Sequence, residues 1–253
     1  MSKSIGKFSH LSDSALLQAD LQRLHQWSKT WRLKLNPSKC KSFRMSLKTK
    51  PIETTYFIEN FGLEHVDFIR DLGVVLDTKL TFANHIEIAA KKSNRALGLL
   101  IRSFQLACPR GNFNRKAVLA SYCANVRSVL EYGCVVWGGA AAAHTDRLER
   151  TQHKFLMWLN AHSHNHSPSL SYNDLLRNFN ITSLRARRVQ YDLMFLRNVF
   201  KGRIDSAYLL STFHLFIPAR VLRQRNLCNI PHARVRTVKE GLFVRIPTAM
   251  NVF

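Results

Sequence analysis

Trp31-Arg32-Leu33-Lys34-Leu35-Asn36-Pro37-Ser38-Lys39-Cys40-Lys41 and the later Leu72-Gly73-Val74-Val75-Leu76-Asp77-Thr78-Lys79-Leu80 decide the fold. Each reads as a short apolar strand meeting a turn loaded with lysine. Asn36-Pro37-Ser38 is a strong turn signal, because Pro fixes φ while Asn and Ser bond their own backbone. Such a turn places Lys39 and Lys41 at the edge of a small sheet, their ammonium groups free to meet phosphate. Leu72 to Leu76 is a continuous apolar run and reads as a buried strand.

Working outward, Ser12 or Asp13 can cap a helix whose apolar positions Leu17, Leu21, Leu24 and Trp27 fall at three- and four-residue steps. After Trp31 the period shortens towards two. Leu33 and Leu35, then Phe43, Met45 and Leu47, then Tyr56 and Ile58, then Val66 and Phe68 predict short strands in a small antiparallel sheet. From Thr81 the pattern is helical. Thr81 can cap a helix through Ser103, with Ile86, Ala89, Ala90, Ser93, Leu97, Leu100 and Ile101 inward. A second helix is expected over 114–132, a third from His144 or Thr145 to Asn160, and a long basic one from Ser183 to Lys201. Cys108 to Asn112 and Ser163 to Ser171 read as loops. Beyond Ile217 the chain reads as irregular, broken by Pro218, Pro231 and Pro247. The fold class is α+β, mostly α: a small antiparallel sheet followed by a helical bundle. The expected divisions are 1–80, 81–210 and an irregular basic tail over 211–253.

Charge is the most informative bulk property. Thirty-eight Lys and Arg against 16 Asp and Glu give +22 over 253 residues, which favours a polyanionic partner, nucleic acid first. A hydrophobic content of 46% excludes a disordered composition. Five cysteines, odd in number and without framework spacing, suit a reducing compartment, nucleus or cytoplasm. Lys3, Lys7 and His10 lead into no apolar run, so no signal peptide is read. Cys134 to Ala143, the longest weakly polar stretch, is too short to span a membrane.

In order and spacing, the two opening stretches resemble the end of the palm domain in reverse transcriptases of non-LTR (LINE-type, jockey-like) retrotransposons. In that family an amphipathic helix, here Ala15 to Lys29, leads into Trp-x-Leu-x-Leu-Asn-x-x-Lys-Cys; a Leu-Gly-Val-x-Leu-Asp strand and a helical thumb follow. The resemblance continues to about Leu210, and makes 1–80 a palm remnant and 81–210 a thumb. It implies a C-terminal part of an RNA-directed DNA polymerase that contacts the primer–template duplex. Lys39 matches a lysine thought to protonate the leaving pyrophosphate, and Leu72, Gly73 and Val74 match the primer grip. The family's aromatic-x-Asp-Asp turn is not matched, and no two acidic residues are adjacent anywhere in the chain. The resemblance therefore implies a fragment, inactive alone and lacking the upstream fingers and palm. Magnesium is expected only for the complete polymerase, and no cofactor for this chain. A co-opted nucleic-acid-binding helical protein and a decayed element fragment stay open as alternatives.

Within the chain, Lys41, Lys91, Lys92, Arg95, Arg102, Arg185, Arg187, Arg188 and Arg197 are the candidate nucleic-acid contacts. Such charges give salt-dependent, sequence-tolerant binding to a phosphate backbone. Trp137, Phe155 and Trp158 read as core rather than as base-stacking platforms. His162, His164 and His166 alternate with no Cys, Asp or Glu beside them, and Cys228 to His232 is too sparse for a zinc knuckle. No metal site is assigned.

Overall fold

The structure, a computed structural model, describes residues 11–48, 53–108, 113–162, 170–213, 228–232 and 241–252. The readings made at the first ten residues, 109–112, 163–169 (with His164 and His166) and Pro218 lie outside them. The chain divides into two compact units, Met1–Leu80 and Thr81–Phe253.

The first unit opens with α1 (Leu11–Thr30). Its half-buried face runs through Leu17, Leu21 and Leu24 to the buried Ser28, leaving Trp27 exposed. Leu33 and Leu35 do not form the expected strand. Arg32 adopts a left-handed conformation (φ 55), Arg32 N–H donates to Lys29 O (3.1 Å) and Leu33 N–H to Ser28 O (2.8 Å). Those two bonds are the Schellman closure of a helix, and they take Arg32 and Leu33, the start of the segment that alternation assigned to a strand.

After a 3-10 turn (Pro37–Lys39) come β1 (Lys41–Phe43), β2 (Phe57–Ile58), β3 (Phe61–Gly62), β4 (Glu64–Val66), β5 (Phe68–Asp71) and β6 (Val74–Asp77). They form three two-stranded sheets: β1 with β4, β2 with β3, β5 with β6. The first pair is parallel, which departs from the expected single antiparallel sheet. Its crossover contains the β2–β3 hairpin, whose Phe57 backbone is held to α1 by two hydrogen bonds. Gln18 Nε2 donates to Phe57 O (2.8 Å) and Phe57 N–H donates to Gln18 Oε1 (2.9 Å). A second tie lies at the turn, where Glu59 accepts from Lys29 (2.7 Å) and meets His25 (2.8 Å). Those two partners, Lys29 first, hold the Glu59 carboxyl below the usual range.

The run Leu72–Leu76 is also corrected. Asp71 pairs with Val74, so Leu72 and Gly73 are the two-residue turn of the β5–β6 hairpin, not the start of a buried strand. Both have positive φ (44 and 89), the signature of a type I′ turn, and Leu72 is 85% exposed. Gly73 is what divides the apolar run.

The second unit is helical: α2 (Ala83–Ala107), α3 (Arg115–Tyr122), a π turn (Cys123–Arg127), α4 (Ser128–Glu131), α5 (Cys134–Trp137), α6 (Ala142–Ala161), α7 (Tyr172–Asn178), α8 (Leu184–Phe200), α9 (Ala207–Thr212) and α10 (Leu242–Val252). Two caps follow the sequence: Asn114 Oδ1 accepts from Lys116 N–H (2.9 Å) and Ser183 Oγ from Ala186 N–H (3.2 Å). Thr81 is not the cap of α2; that position is Phe82, left-handed (φ 57) and without a side-chain capping bond, and Thr81 Oγ1 accepts from Ala83 N–H (3.4 Å) just before it. The buried face of α2 is His85, Ile86, Ala89, Ala90, Ser93, Leu97 and Leu100. α3, the π turn and α6 pack against α2, and on them Val118, Tyr122, Val126, Leu148, Phe155, Leu156 and Leu159 are buried, with the Tyr122 and Phe155 rings stacked at 3.9 Å.

A polar lattice crosses this core. Tyr122 donates to Gln152 Oε1 (3.0 Å), and Gln152 Nε2 donates to Tyr172 Oη and Thr182 O. Glu149 accepts from the Tyr172 hydroxyl (2.5 Å) and from the backbone N–H of Arg185 (2.6 Å) and Leu184 (3.4 Å), so α6 caps α8 through one carboxylate.

The segment expected to be irregular contains α10, with Pro247 inside it. A mid-helix Pro costs about 3 kcal/mol, and packing overrides it here. Ile246 is fully buried with Leu196 and Phe213, and Leu242, Phe243 and Met250 pack around them.

Candidate nucleic-acid interface

In the first unit, Asn36 Oδ1 accepts from the backbone (3.1 Å) and hydroxyl (2.6 Å) of Ser38, which fixes the turn that presents Lys39 to solvent. Lys41 opens β1 and its ammonium lies 3.2 Å from Glu64 on the paired strand β4. Leu72 and Gly73 project as the hairpin tip, while Val74 behind them is buried.

Among the described residues, the second unit carries most of the exposed cations. α6 packs against α2 and runs in the same direction. Arg147 near the start of α6 acts electrostatically on Glu87 near the start of α2, while the far ends meet through Phe113, which stacks on Trp158 (5.3 Å) and tilts against Phe104 (6.0 Å). Lys91, Lys92, Arg95 and Arg102 are exposed on α2. Lys91 reaches back to Glu87 (2.7 Å) and holds that carboxyl below its usual range, while Arg102 Nε donates to Gly98 O (3.2 Å). On α6, which packs against α2, Arg147, Arg150 and Lys154 are exposed as well. Sequence reasoning missed these three, although their three- and four-residue spacing on a polar helix face was a usable signal.

On α8 the four expected arginines part company. Arg185 and Arg197 are exposed. Arg187 grips Glu131 of α4 in a two-point pair, Nε to Oε1 and Nη2 to Oε2 (3.0 Å), with the Tyr191 hydroxyl donating to the same carboxylate (3.1 Å). Hydrogen bonding to Glu131 pushes the Arg187 pKa further up. Arg188 is buried, its guanidinium 6.0 Å from the Trp137 ring, and burial lowers its pKa. Both guanidinium groups are spent inside the bundle, so the structure withdraws them from a solvent-facing set.

A second internal pair was not foreseen. Arg245 of α10 donates to both oxygens of Asp192 on α8 (2.8 and 2.9 Å) and to Val135 O (3.0 Å). Burial raises the Asp192 pKa against the opposing pull of Arg245. A Cβ on Gly138 would stand 2.5 Å from Cys134 O and 3.3 Å from Arg245 Nη2, so only glycine fits beside this clamp. Sequence separation of 53 residues hid the pairing.

Among the described residues no three His, Cys, Asp or Glu side chains gather as a group of potential metal ligands. Nor is any described helix long and apolar enough to cross a membrane.

No protein-family model matches the chain, and no solved structure matches it. Three curated relatives do, all from Drosophila melanogaster. The probable RNA-directed DNA polymerase from transposon X-element is 26% identical over 132 residues, 52% of this chain and 14% of that protein. Its counterpart from transposon BS is 29% identical over 145 residues, 54% of this chain and 15% of the relative. The RNA-directed DNA polymerase from mobile element jockey is 27% identical over 148 residues, 58% and 16% respectively. The matches thus span about one-seventh to one-sixth of these relatives' length. Over roughly half its length, the chain is a homologue of the RNA-directed DNA polymerases of non-LTR retrotransposons.

Proposed function

We propose that the chain is a primer–template-contacting part of a reverse transcriptase, with its helical unit acting as the thumb. The observation that carries this is the paired basic surface of α2 and α6. Lys92, Arg95 and Arg102 on one helix and Arg147, Arg150 and Lys154 on its neighbour are exposed, in a chain of formal charge +22. Cations spaced along two adjacent helices suit a helical phosphate backbone, which they hold without reading bases. Arg185 and Arg197 extend the set. An RNA–DNA hybrid is the duplex that a polymerase copying RNA into DNA must hold, and it is recognised by shape and backbone.

In a complete polymerase, Lys39 on its exposed turn would act on the leaving pyrophosphate, and the Leu72–Gly73 tip would steady the primer 3′ end. Further palm strands, supplied by the longer protein, would cover the exposed Trp27, Trp31 and Phe61 of the first unit. No two acidic residues are adjacent in the chain, as an aromatic-x-Asp-Asp turn would need, so this reading leaves nucleotide transfer itself to the rest of the polymerase.

The test is a pair of measurements on the purified chain. Fluorescence anisotropy with a 20-bp RNA–DNA hybrid is expected to give a Kd of about 1–100 μM at physiological salt, typical of backbone binding. Primer extension with magnesium and nucleotides is expected to give no product. Absence of hybrid binding, or extension abolished by substituting an acidic residue of this chain, overturns the proposal.

A further inference from the structure

The outer face of α2 carries more than charge. Ile88, Lys92, Arg95, Leu99, Arg102 and Leu106 follow one another at steps of four, three, four, three and four residues. That is the 3.5-residue repeat of a coiled-coil seam, and the six side chains form one stripe. All six are exposed, the aliphatic ones by 47%, 62% and 82% from Ile88 to Leu106. At 1.5 Å per residue the stripe is about 27 Å long, the length of a five-turn partner helix.

We propose that this stripe docks an acidic amphipathic helix of a protein partner, which excludes nucleic acid from Lys92, Arg95 and Arg102 while bound. The chemistry of the stripe selects the occupant. No acidic residue lies on it, so the partner brings carboxylates opposite the three cations. Ile88, Leu99 and Leu106 need apolar knobs opposite them, which a phosphate backbone does not supply. A second copy of this chain fails on charge, because antiparallel pairing of two such stripes sets Lys92 against Arg102 and parallel pairing sets each cation near its own counterpart. The inference goes beyond duplex binding and makes that binding subject to competition.

The probe is a synthetic helical peptide of about three heptads, with Leu and Glu alternating along its seam, and a scrambled control of the same composition. The full chain is expected to bind the peptide at least about tenfold more tightly than the scramble, and the peptide to displace a labelled RNA–DNA hybrid. The double variant Leu99→Ser/Leu106→Ser removes two exposed side chains and leaves the helical circular dichroism unchanged. It is expected to lose at least about tenfold in peptide affinity while keeping hybrid affinity. Equal binding of peptide and scramble, or an unaffected double variant, overturns the proposal. So does a double variant that weakens hybrid binding instead, which would make the stripe a reader of the duplex groove. Failure of the duplex reading is seen separately, as absence of hybrid binding by the unmodified chain.

Discussion

Arg187 and Arg188 are adjacent, alike in charge and unlike Arg185 in fate. The difference was partly legible: Leu184, Arg188, Asp192, Leu196 and Val199 follow one helical stripe, so Arg188 and Asp192 point where the leucines point. What no spacing reveals is the partner, since Glu131 and Arg245 arrive from distant elements. Substituting Glu131→Ala leaves a partly buried guanidinium without its counter-charge. It is expected to cost about 3 kcal/mol in urea unfolding, whereas Glu131→Met with Arg187→Met costs much less. The cysteines offer a second check. Burial pushes the Cys134 thiol up to about 11, and Cys134 and Cys228 are buried while Cys40, Cys108 and Cys123 are partly exposed. In the native chain iodoacetamide is expected to label the latter three first, by peptide mass mapping; early labelling of Cys134 would contradict the packing around it.

At the scale of elements, the long helices were legible because a 3.6-residue apolar period and a Ser, Thr or Asn cap agree over many residues. The starts at Asn114 and Ser183 follow from their caps alone. The short strands were legible only in part: Phe43, Ile58, Val66 and Phe68 do fall in strands, but two or three alternating residues fit a turn as well as a strand. Leu33 went to a helix closure, and Leu72 to a hairpin tip once Gly73 offered positive φ. α10 was hidden for another reason: Pro247 argues against a helix locally, and only the buried Ile246 and the Arg245–Asp192 clamp argue for it. Ile246→Ala is therefore expected to destabilise the chain by about 2–4 kcal/mol in thermal or urea unfolding, a cost that a loosely attached tail would not show. Gly138→Ala is expected to destabilise as well, through the clash with the Cys134 carbonyl and the Arg245 guanidinium.

For the whole molecule, the excess of cations raises the expectation of a polyanionic partner without saying which cations are available to one. Among the described residues Lys41 and Lys91 are paired at the surface, Arg187, Arg188 and Arg245 are engaged within the helical unit, and Lys92, Arg95, Arg147, Arg150 and Lys154 on α2 and α6 are exposed. The exposed tryptophans and phenylalanines of the first unit fit a chain whose matches cover a small part of much longer polymerases. The most direct test of the account is the salt dependence of RNA–DNA hybrid binding, compared between the unmodified chain and Arg147→Gln/Arg150→Gln/Lys154→Gln. Each phosphate contact contributes about 0.7–0.9 to the slope of log affinity against log salt, so the triple variant is expected to lower the slope by about 2–3. An unchanged slope, with the triple variant binding as tightly as the unmodified chain at each salt concentration, would contradict the assignment of this surface to the duplex.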